Sequence, residues 1–258
     1  MASPFADDVQ AFAGAGFRAM EVWLTKLETH LEAHSLPETR RLLEDHQMTP
    51  AAASYQGGLL VSQGDQRRAH FDHFRRRLEM CQGLSIPLML VMADFASEVD
   101  QTSLERSVVS LRQAAQWAAG FNVRLGLEFR SSALFCSNLK TALSLVAQCG
   151  EVNVGINFDV FHYYTGPSKL EDLDHLTREN LAFVQLSDLV GVPRELARDS
   201  DRILPGDGEF QLAPILERIR ATGYDGYVSL ELMNPVLWAM KASQVAEMGM
   251  KSLWRLIP

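Results

Sequence analysis

Apolar residues recur along this chain at the spacing of amphipathic helices, in several separate segments. One predicted helical face consists of residues that step by four and three positions, namely Leu104, Val108, Leu111, Ala115 and Ala118. Similar stripes occupy 71–81, 139–146 and 212–219, and the chain opens on a further predicted helix over 5–15. Gly120, Gly150 and Gly223 lie just past three of these stripes. Glycine is common there because it tolerates the backbone that ends a helix.

Short apolar segments between the helices have the length and composition of strands. The predicted strands cover 18–23, 51–55, 87–92, 123–129, 152–159, 181–187 and 226–232. Strands that alternate with helices, about 30 residues apart, predict βαβ units and a parallel sheet. No linker-like segment interrupts this order, so we expect one domain over 1–258. The length also suits an α/β barrel, which typically has about 250 residues.

The predicted strands number seven, one fewer than a complete α/β barrel requires. The first helix begins so early that nothing before it could form a strand. A seven-stranded barrel leaves an unpaired strand edge on each side of a gap. We therefore expect either an incomplete barrel or a start codon placed too late, and eight paired strands would contradict this expectation.

Polar residues follow one face of four predicted strands, although strands of a parallel sheet are normally apolar on both faces. Glu128, Asp159, Gln185 and Glu231 share that face and lie near the carboxyl ends of their strands. If the apolar face packs under the helices, the polar face points into the barrel. The carboxyl ends of barrel strands carry the active site in enzymes of this architecture.

Three carboxylates that converge on one axis repel one another strongly. A bound divalent cation would resolve the conflict, since carboxylate and amide oxygens suit such an ion. The plainer alternative is four unrelated polar residues that contact water at strand ends. Their shared face and depth favour the metal site.

Composition narrows the expected partners and location. The formal net charge is −8, which is unfavourable for nucleic-acid binding. The three cysteines are odd in number and share no C-x-x-C spacing, so we expect free thiols in a reducing compartment. No signal peptide or membrane span is apparent. We expect a cytoplasmic enzyme of a small molecule, with no nucleic-acid or membrane partner; homo-oligomerisation stays open.

The ordered motifs resemble the xylose isomerase-like TIM barrels, the sugar phosphate isomerase/epimerase superfamily. The segments that carry the resemblance are LGLEF with Glu128, FDVFH with Asp159 and His162, FVQLSD with Gln185 and Asp188, RILPGDGEF with Arg202, and VSLEL with Glu231. The segment GFRAMEVW, with Glu21, resembles the second strand of that family. The spacing of the later motifs is most similar to the 2-keto-myo-inositol isomerase (inosose isomerase) branch.

The resemblance implies a metal-dependent isomerase or epimerase of a small keto-polyol or sugar, acting through an enediolate. The implied metal ligands are Glu128, Asp159, Gln185 and Glu231. The implied acid/base pair is Glu128 and Glu231. The implied substrate contacts are His162, Arg202 and Glu21.

Gln185 departs from the family pattern, since most members have a metal-binding histidine at that place. An all-oxygen ligand set favours Mn²⁺ or Mg²⁺ over Zn²⁺ or Co²⁺. Two further readings stay open: a lyase that resembles dehydroshikimate dehydratase, and a degenerate barrel that binds a ligand without turnover.

Individual residues also have plainer readings. His162 could be an ordinary surface histidine, and Arg202 a solvated loop arginine. Asp188 shares its strand face with Val184 and Leu186, so we expect it to orient residues of the site from behind or to have a structural role.

Overall fold

A ring of parallel strands enclosed by helices forms the fold, in a computed structural model that describes residues 3–257. The strands are β1 (Ala19–Trp23), β2 (Thr49–Gln56), β3 (Leu88–Met92), β4 (Arg124–Glu128), β5 (Val154–Asp159), β6 (Leu181–Leu186) and β7 (Val228–Leu230). The helices are α1 (Phe5–Gly14), α2 (Leu24–Leu31), α3 (Leu36–Asp45), α4 (Gly64–Leu84), α5 (Gln101–Ala119), α6 (Leu139–Cys149), α7 (Val160–Thr165), α8 (Leu212–Ala221), α9 (Pro235–Trp238) and α10 (Ala242–Leu256), with 3₁₀ helices at Leu170–His175 and Asp199–Asp201. All seven predicted strands are confirmed.

Each strand pairs in parallel with the next along the chain, in the order β1 to β7. Within residues 3–257, β1 and β7 are the two edges of this sheet and do not pair with each other. The barrel is therefore nearly closed, with one gap between these two strands. The predicted seven-stranded barrel is therefore confirmed.

A cavity of about 270 Å³ lies at the gap between β1 and β7, and helices α1 and α10 pack together there. Helix α10 packs directly on β7 at Gly249, where a Cβ would lie 2.6 Å from the Leu230 side-chain tip.

Two apolar layers result from the alternating strands. The larger layer lies between the strands and the helices and includes Leu125, Leu127, Ile156 and Phe158. The smaller layer fills part of the barrel interior, and its buried members are Ala51, Ala52, Leu88, Leu90 and Phe183. The polar face of the strands consequently lies on the inner side of the ring, as predicted.

Side-chain caps set several helix boundaries. Ser35 and Glu38 form a reciprocal capping box at the start of α3, and Asp100 and Asn138 cap α5 and α6. Gly150 ends α6 with φ of 73°, a conformation that favours glycine. Within residues 3–257, none of the helices has the length and apolar content needed to cross a membrane.

Asp188 organises the long segment after β6. Its Oδ1 accepts hydrogen bonds from the backbone N–H groups of Leu189 and Phe210, and its Oδ2 accepts one from Gly206, each at 2.9 Å. The side chain is fully buried and bonds backbone donors of this loop, consistent with the predicted structural role.

The same loop positions Arg202 at the carboxyl ends of the strands. Asp188 and Ile203 exchange two backbone hydrogen bonds, which hold the neighbouring Arg202 near the strand ends. Gly208 lets the loop close, because a Cβ there would lie 2.3 Å from the Asp188 carboxylate. The turn therefore depends on a glycine packed directly against a charged group.

Replacing Asp188 with alanine is expected to lower the free energy of unfolding by about 2–4 kcal/mol, because three backbone donors lose a charged acceptor. Urea denaturation monitored by circular dichroism measures the change. Asp207→Ala is the matched control, since Asp207 is an exposed residue of the same loop. Equal unfolding free energies for the two variants would contradict this role of Asp188.

The three cysteines are free thiols, as predicted, and the structure buries all of them. Burial raises the pKa of the Cys81 and Cys136 thiols to about 12 and also raises the pKa of Cys149. We expect the folded protein to react negligibly with a thiol-specific disulfide reagent at pH 8, because the thiolate is the reactive form. All three thiols should react in denaturant; rapid reaction of a folded-state thiol would contradict the expectation.

Candidate active site

The four polar positions singled out from the sequence come together at the carboxyl ends of consecutive strands. Glu128 ends β4, Asp159 ends β5, Gln185 lies in β6 and Glu231 follows β7 directly. Asp159 is the register partner of Gln185 across the β5–β6 pair. Asp159 also caps α7, since its Oδ1 accepts a hydrogen bond from Phe161 N at 2.9 Å. The strand end and helix start therefore fix this carboxylate.

His162 faces two of these carboxylates from the first turn of α7. Its Nε2 lies 3.4 Å from Glu128 Oε1 and 3.6 Å from Asp159 Oδ2. Its Nδ1 lies 3.2 Å from Ser131 Oγ, so the ring is held at both nitrogens. The residue is 2% exposed, which contradicts the reading of His162 as an ordinary surface residue.

Arg202 lies inside the site, 1% exposed, and the reading as a solvated loop arginine is likewise wrong. Its Nη1 and Nη2 donate to the two oxygens of Asp159, at 3.0 and 2.6 Å. Nη1 also lies 3.0 Å from Glu231 Oε2, and Nη2 donates to Asp199 Oδ1 at 2.8 Å. The guanidinium packs over the Phe161 ring, 4.3 Å from its centre. One cation thus connects three carboxylates.

A chain of side-chain hydrogen bonds crosses the interior of the barrel. Asn157 Nδ2 donates to Glu128 Oε2 at 3.0 Å and to Gln185 Oε1 at 2.6 Å. Gln185 Nε2 in turn donates to Glu21 Oε1 at 2.9 Å. The amide oxygen of Gln185, the predicted ligand atom, is therefore directed at Asn157. Glu21 is connected to the site through this hydrogen bond from Gln185. Among the described residues, no hydrogen bond joins Glu21 to Glu128 or to Arg202.

The carboxyl groups differ in their preference for a proton. Burial raises the pKa of Glu231 well above its usual range; nearby Glu128 and Asp159 add to this effect and Arg202 opposes it. Burial also raises the pKa of Glu21. For Asp159, the attraction of Arg202 and His162 outweighs burial, so its pKa is lowered. Neighbouring carboxyls with opposite shifts are typical of acid/base sites.

Sequence reasoning missed two residues of the site. Asn157 shares the inward strand face with Asp159, but that pattern does not show that its amide joins Glu128 to Gln185. Asp199, in the 3₁₀ helix Asp199–Asp201, bonds Arg202 and lies 3.2 Å from Arg130. The only signal for Asp199 is its position three residues before Arg202.

The donor set fits a divalent metal ion. Glu128, Asp159 and His162 each offer one ligand atom within 4.8 Å of the others, and all three are buried. Glu231 Oε2 is buried and receives no well-aligned hydrogen bond from the described residues, although Arg202 is near. Carboxylates and an imidazole in this arrangement are common ligands of divalent metals.

Two enzymes of known activity are similar to this chain in sequence. An inosose isomerase of Halalkalibacterium halodurans is 25% identical over 228 residues, which cover 86% of this chain and 79% of that protein. A 3-dehydroshikimate dehydratase of Pseudomonas putida is 26% identical over 96% of this chain, but the chain spans only 39% of that protein.

Solved structures show the same fold. A crystal structure of the IolI protein with a bound zinc atom superposes with a TM-score of 0.93 and 21% identity, and covers 99% of this chain and 93% of that chain. The sequence model of one family, described as the xylose isomerase-like TIM barrel, matches residues 9–253. Since this match takes in almost the whole sequence, the chain belongs to the xylose isomerase-like TIM barrel family.

Proposed function

We propose that this protein is a divalent-metal-dependent isomerase or epimerase of a small keto-polyol or sugar of the inosose type, built as one domain over 1–258. The observation that carries the proposal is the buried cluster of Glu128, Asp159 and His162 at the carboxyl ends of the strands, with Glu231 beside it. The similarity to inosose isomerases supports the substrate class.

The proposed metal ligands are Glu128, Asp159, Gln185 and Glu231, with His162 adjoining them. Gln185 would hold the ion through its amide oxygen, which here accepts a hydrogen bond from Asn157. A bound divalent ion would supply Lewis-acid stabilisation of the negative charge that develops on substrate oxygens. The carboxylate-rich set favours Mn²⁺ or Mg²⁺, and Zn²⁺ and Co²⁺ are the alternatives for metal analysis.

Glu231 and Glu128 are the proposed acid/base pair. Burial raises the pKa of Glu231 above its usual range, which makes its carboxylate a better proton acceptor than an exposed one. Asn157 fixes Glu128 Oε2, which leaves Oε1 on the side of His162. Removal of the proton next to the substrate carbonyl, followed by its return to the neighbouring carbon, gives isomerisation. Return to the same carbon from the other face gives epimerisation.

The lining of the cavity suits an uncharged cyclic substrate. Trp23 and Trp238 line the cavity beside Glu21 and Glu231, and their rings suit the C–H face of a cyclic polyol.

The substitution Glu231→Gln is expected to slow exchange of the substrate α-proton by about 10²–10⁴-fold, because the amide cannot take up the proton. A panel of inososes and ketoses in deuterated water, scored by mass, measures the exchange. Glu217→Gln on the exposed face of α8 is the matched control.

Full exchange by a folded Glu231→Gln protein would contradict the role of Glu231 as the base. No exchange with any substrate, together with no bound divalent ion in metal analysis, would favour a barrel that binds a ligand without turnover.

A lyase activity is the second candidate, favoured by the 3-dehydroshikimate dehydratase relative. The same base would remove a proton, and the neighbouring hydroxyl would leave as water. Incubation with 3-dehydroshikimate should then yield an aromatic product that absorbs in the ultraviolet. Absence of that product from the metal-loaded enzyme would contradict the lyase and leave the isomerase.

A further inference from the structure

Two hydroxyl groups lie behind His162, at Nδ1 of its ring, whereas the carboxylates lie at Nε2. Ser131, in the turn after β4, places its Oγ 3.2 Å from His162 Nδ1. Thr165, at the end of α7, places its Oγ1 2.8 Å from Ser131 Oγ and 2.7 Å from the carbonyl oxygen of Phe161. Three consecutive contacts therefore lead from the imidazole to a backbone carbonyl.

The chemistry of these groups fixes the direction of each hydrogen bond. The Phe161 carbonyl has no proton to donate, so the separation of 2.7 Å requires that Thr165 donates to it. Because each hydroxyl has a single proton, Thr165 must then accept from Ser131, and Ser131 must accept from His162 Nδ1. The proton of a neutral imidazole consequently lies on Nδ1, and Nε2 keeps its lone pair.

Local packing holds the two hydroxyls in this arrangement. Threonine in a helix readily forms the bond from Thr165 to the carbonyl four residues earlier. The turn after β4 packs on the backbone at Gly166, where a Cβ would lie 2.6 Å from the Ser137 carbonyl oxygen and 3.3 Å from Ser131 Cβ. Ser131 is thereby kept within reach of both His162 and Thr165.

The Nε2 lone pair faces the interior of the candidate site. Nε2 lies 3.4 Å from Glu128 Oε1 and 3.6 Å from Asp159 Oδ2, longer than the about 2.7–2.9 Å of a charge-assisted N–H···O bond. Arg202 Nη2 lies 3.5 Å from Nε2, on the side where a lone pair can accept. A lone pair at this place suits a hydroxyl donor, which is the group that a polyol supplies in number.

We propose that Ser131 and Thr165 are positioning residues that hold His162 in the Nδ1-protonated tautomer, so that Nε2 accepts a hydrogen bond from a substrate hydroxyl. The substrate is then the donor in this contact and His162 the acceptor. The inference rests on the proposed function for the substrate, whereas the tautomer can be measured without one.

Nitrogen-15 NMR of histidine-labelled protein measures the tautomer, because protonated and unprotonated ring nitrogens have widely separated shifts. A cationic ring, which lowers the pKa of Asp159, has a proton on both nitrogens. Spectra are therefore recorded at about pH 8.5, where an ordinary histidine is neutral, in buffer that contains Mg²⁺. The chain has seven histidines, and the signals of His162 are those absent from His162→Gln. The wild-type ring should have its proton on Nδ1 alone.

Thr165→Val removes the acceptor of the Ser131 hydroxyl, which can then turn and donate to Nδ1, so we expect the proton to move to Nε2. Ser131→Ala leaves Nδ1 without an acceptor, and the two tautomers should mix. Thr165→Ser keeps both bonds and should retain the wild-type signals. Thr29→Val is the matched control, because Thr29 makes the same bond, to Thr25 O at 3.1 Å, on the exposed side of α2.

Activity toward 2-keto-myo-inositol tests the substrate contact. Thr165→Val is expected to raise KM about 3–10-fold and to change kcat less, because a contact made equally in the ground and transition states acts on binding. Thr165→Ser and Thr29→Val should keep the wild-type KM.

A wild-type ring with a proton on Nε2, alone or together with one on Nδ1, overturns the inference. An unchanged tautomer in a folded Thr165→Val protein also overturns it, and Ser131→Ala decides in the same way if that variant does not fold. A changed tautomer with an unchanged KM overturns the contact between Nε2 and the substrate. The expected tautomer in a protein that is inactive toward every inosose and ketose overturns the proposed function and leaves the positioning role of Ser131 and Thr165 standing.

Discussion

Carboxylates held together inside a protein need a counter-charge, and this requirement governs the carboxyl end of the barrel. Asp159 is fully buried and is retained as an anion by Arg202 and His162. Removal of water strengthens these attractions, but it also makes any unpaired charge unfavourable. The loop that supplies Arg202 is itself fixed by a second buried carboxylate, that of Asp188. The architecture of the site is thus set by charge compensation as well as by strand packing.

Much of this arrangement could be predicted from strand periodicity. A side-chain period of two residues places Glu128, Asp159, Gln185 and Glu231 on the inner face, and parallel strands bring their carboxyl ends together. The gap in the barrel could be predicted because only seven apolar segments have the length and composition of strands. These features depend on repeating local patterns, which a single sequence displays directly.

The hydrogen-bond and ion-pair partners of each polar side chain could not be predicted in the same way. Arg202 and Asp199 lie in an irregular segment, where no period relates sequence position to direction. Gln185 has both Asn157 and Glu21 within reach, and the direction of its amide depends on which neighbour donates and which accepts. These hydrogen-bond partners depend on contacts between residues that are distant in the sequence. The strand pattern determines only which face of the sheet each side chain lies on.

The gap between β1 and β7 admits outer helices to the wall of the cavity beside the candidate site. In a closed barrel, loops at the carboxyl end form the walls around the reacting groups. Here the cavity beside Glu21 and Glu231 is also lined by Phe12 of α1 and by Val245 and Ala246 of α10. Two outer helices therefore form part of the pocket wall. A change of side-chain volume on either helix would reshape the space next to Glu21 and Glu231 and leave the loops at the carboxyl ends of the strands unaltered, so the shape of this cavity can vary independently of those loops.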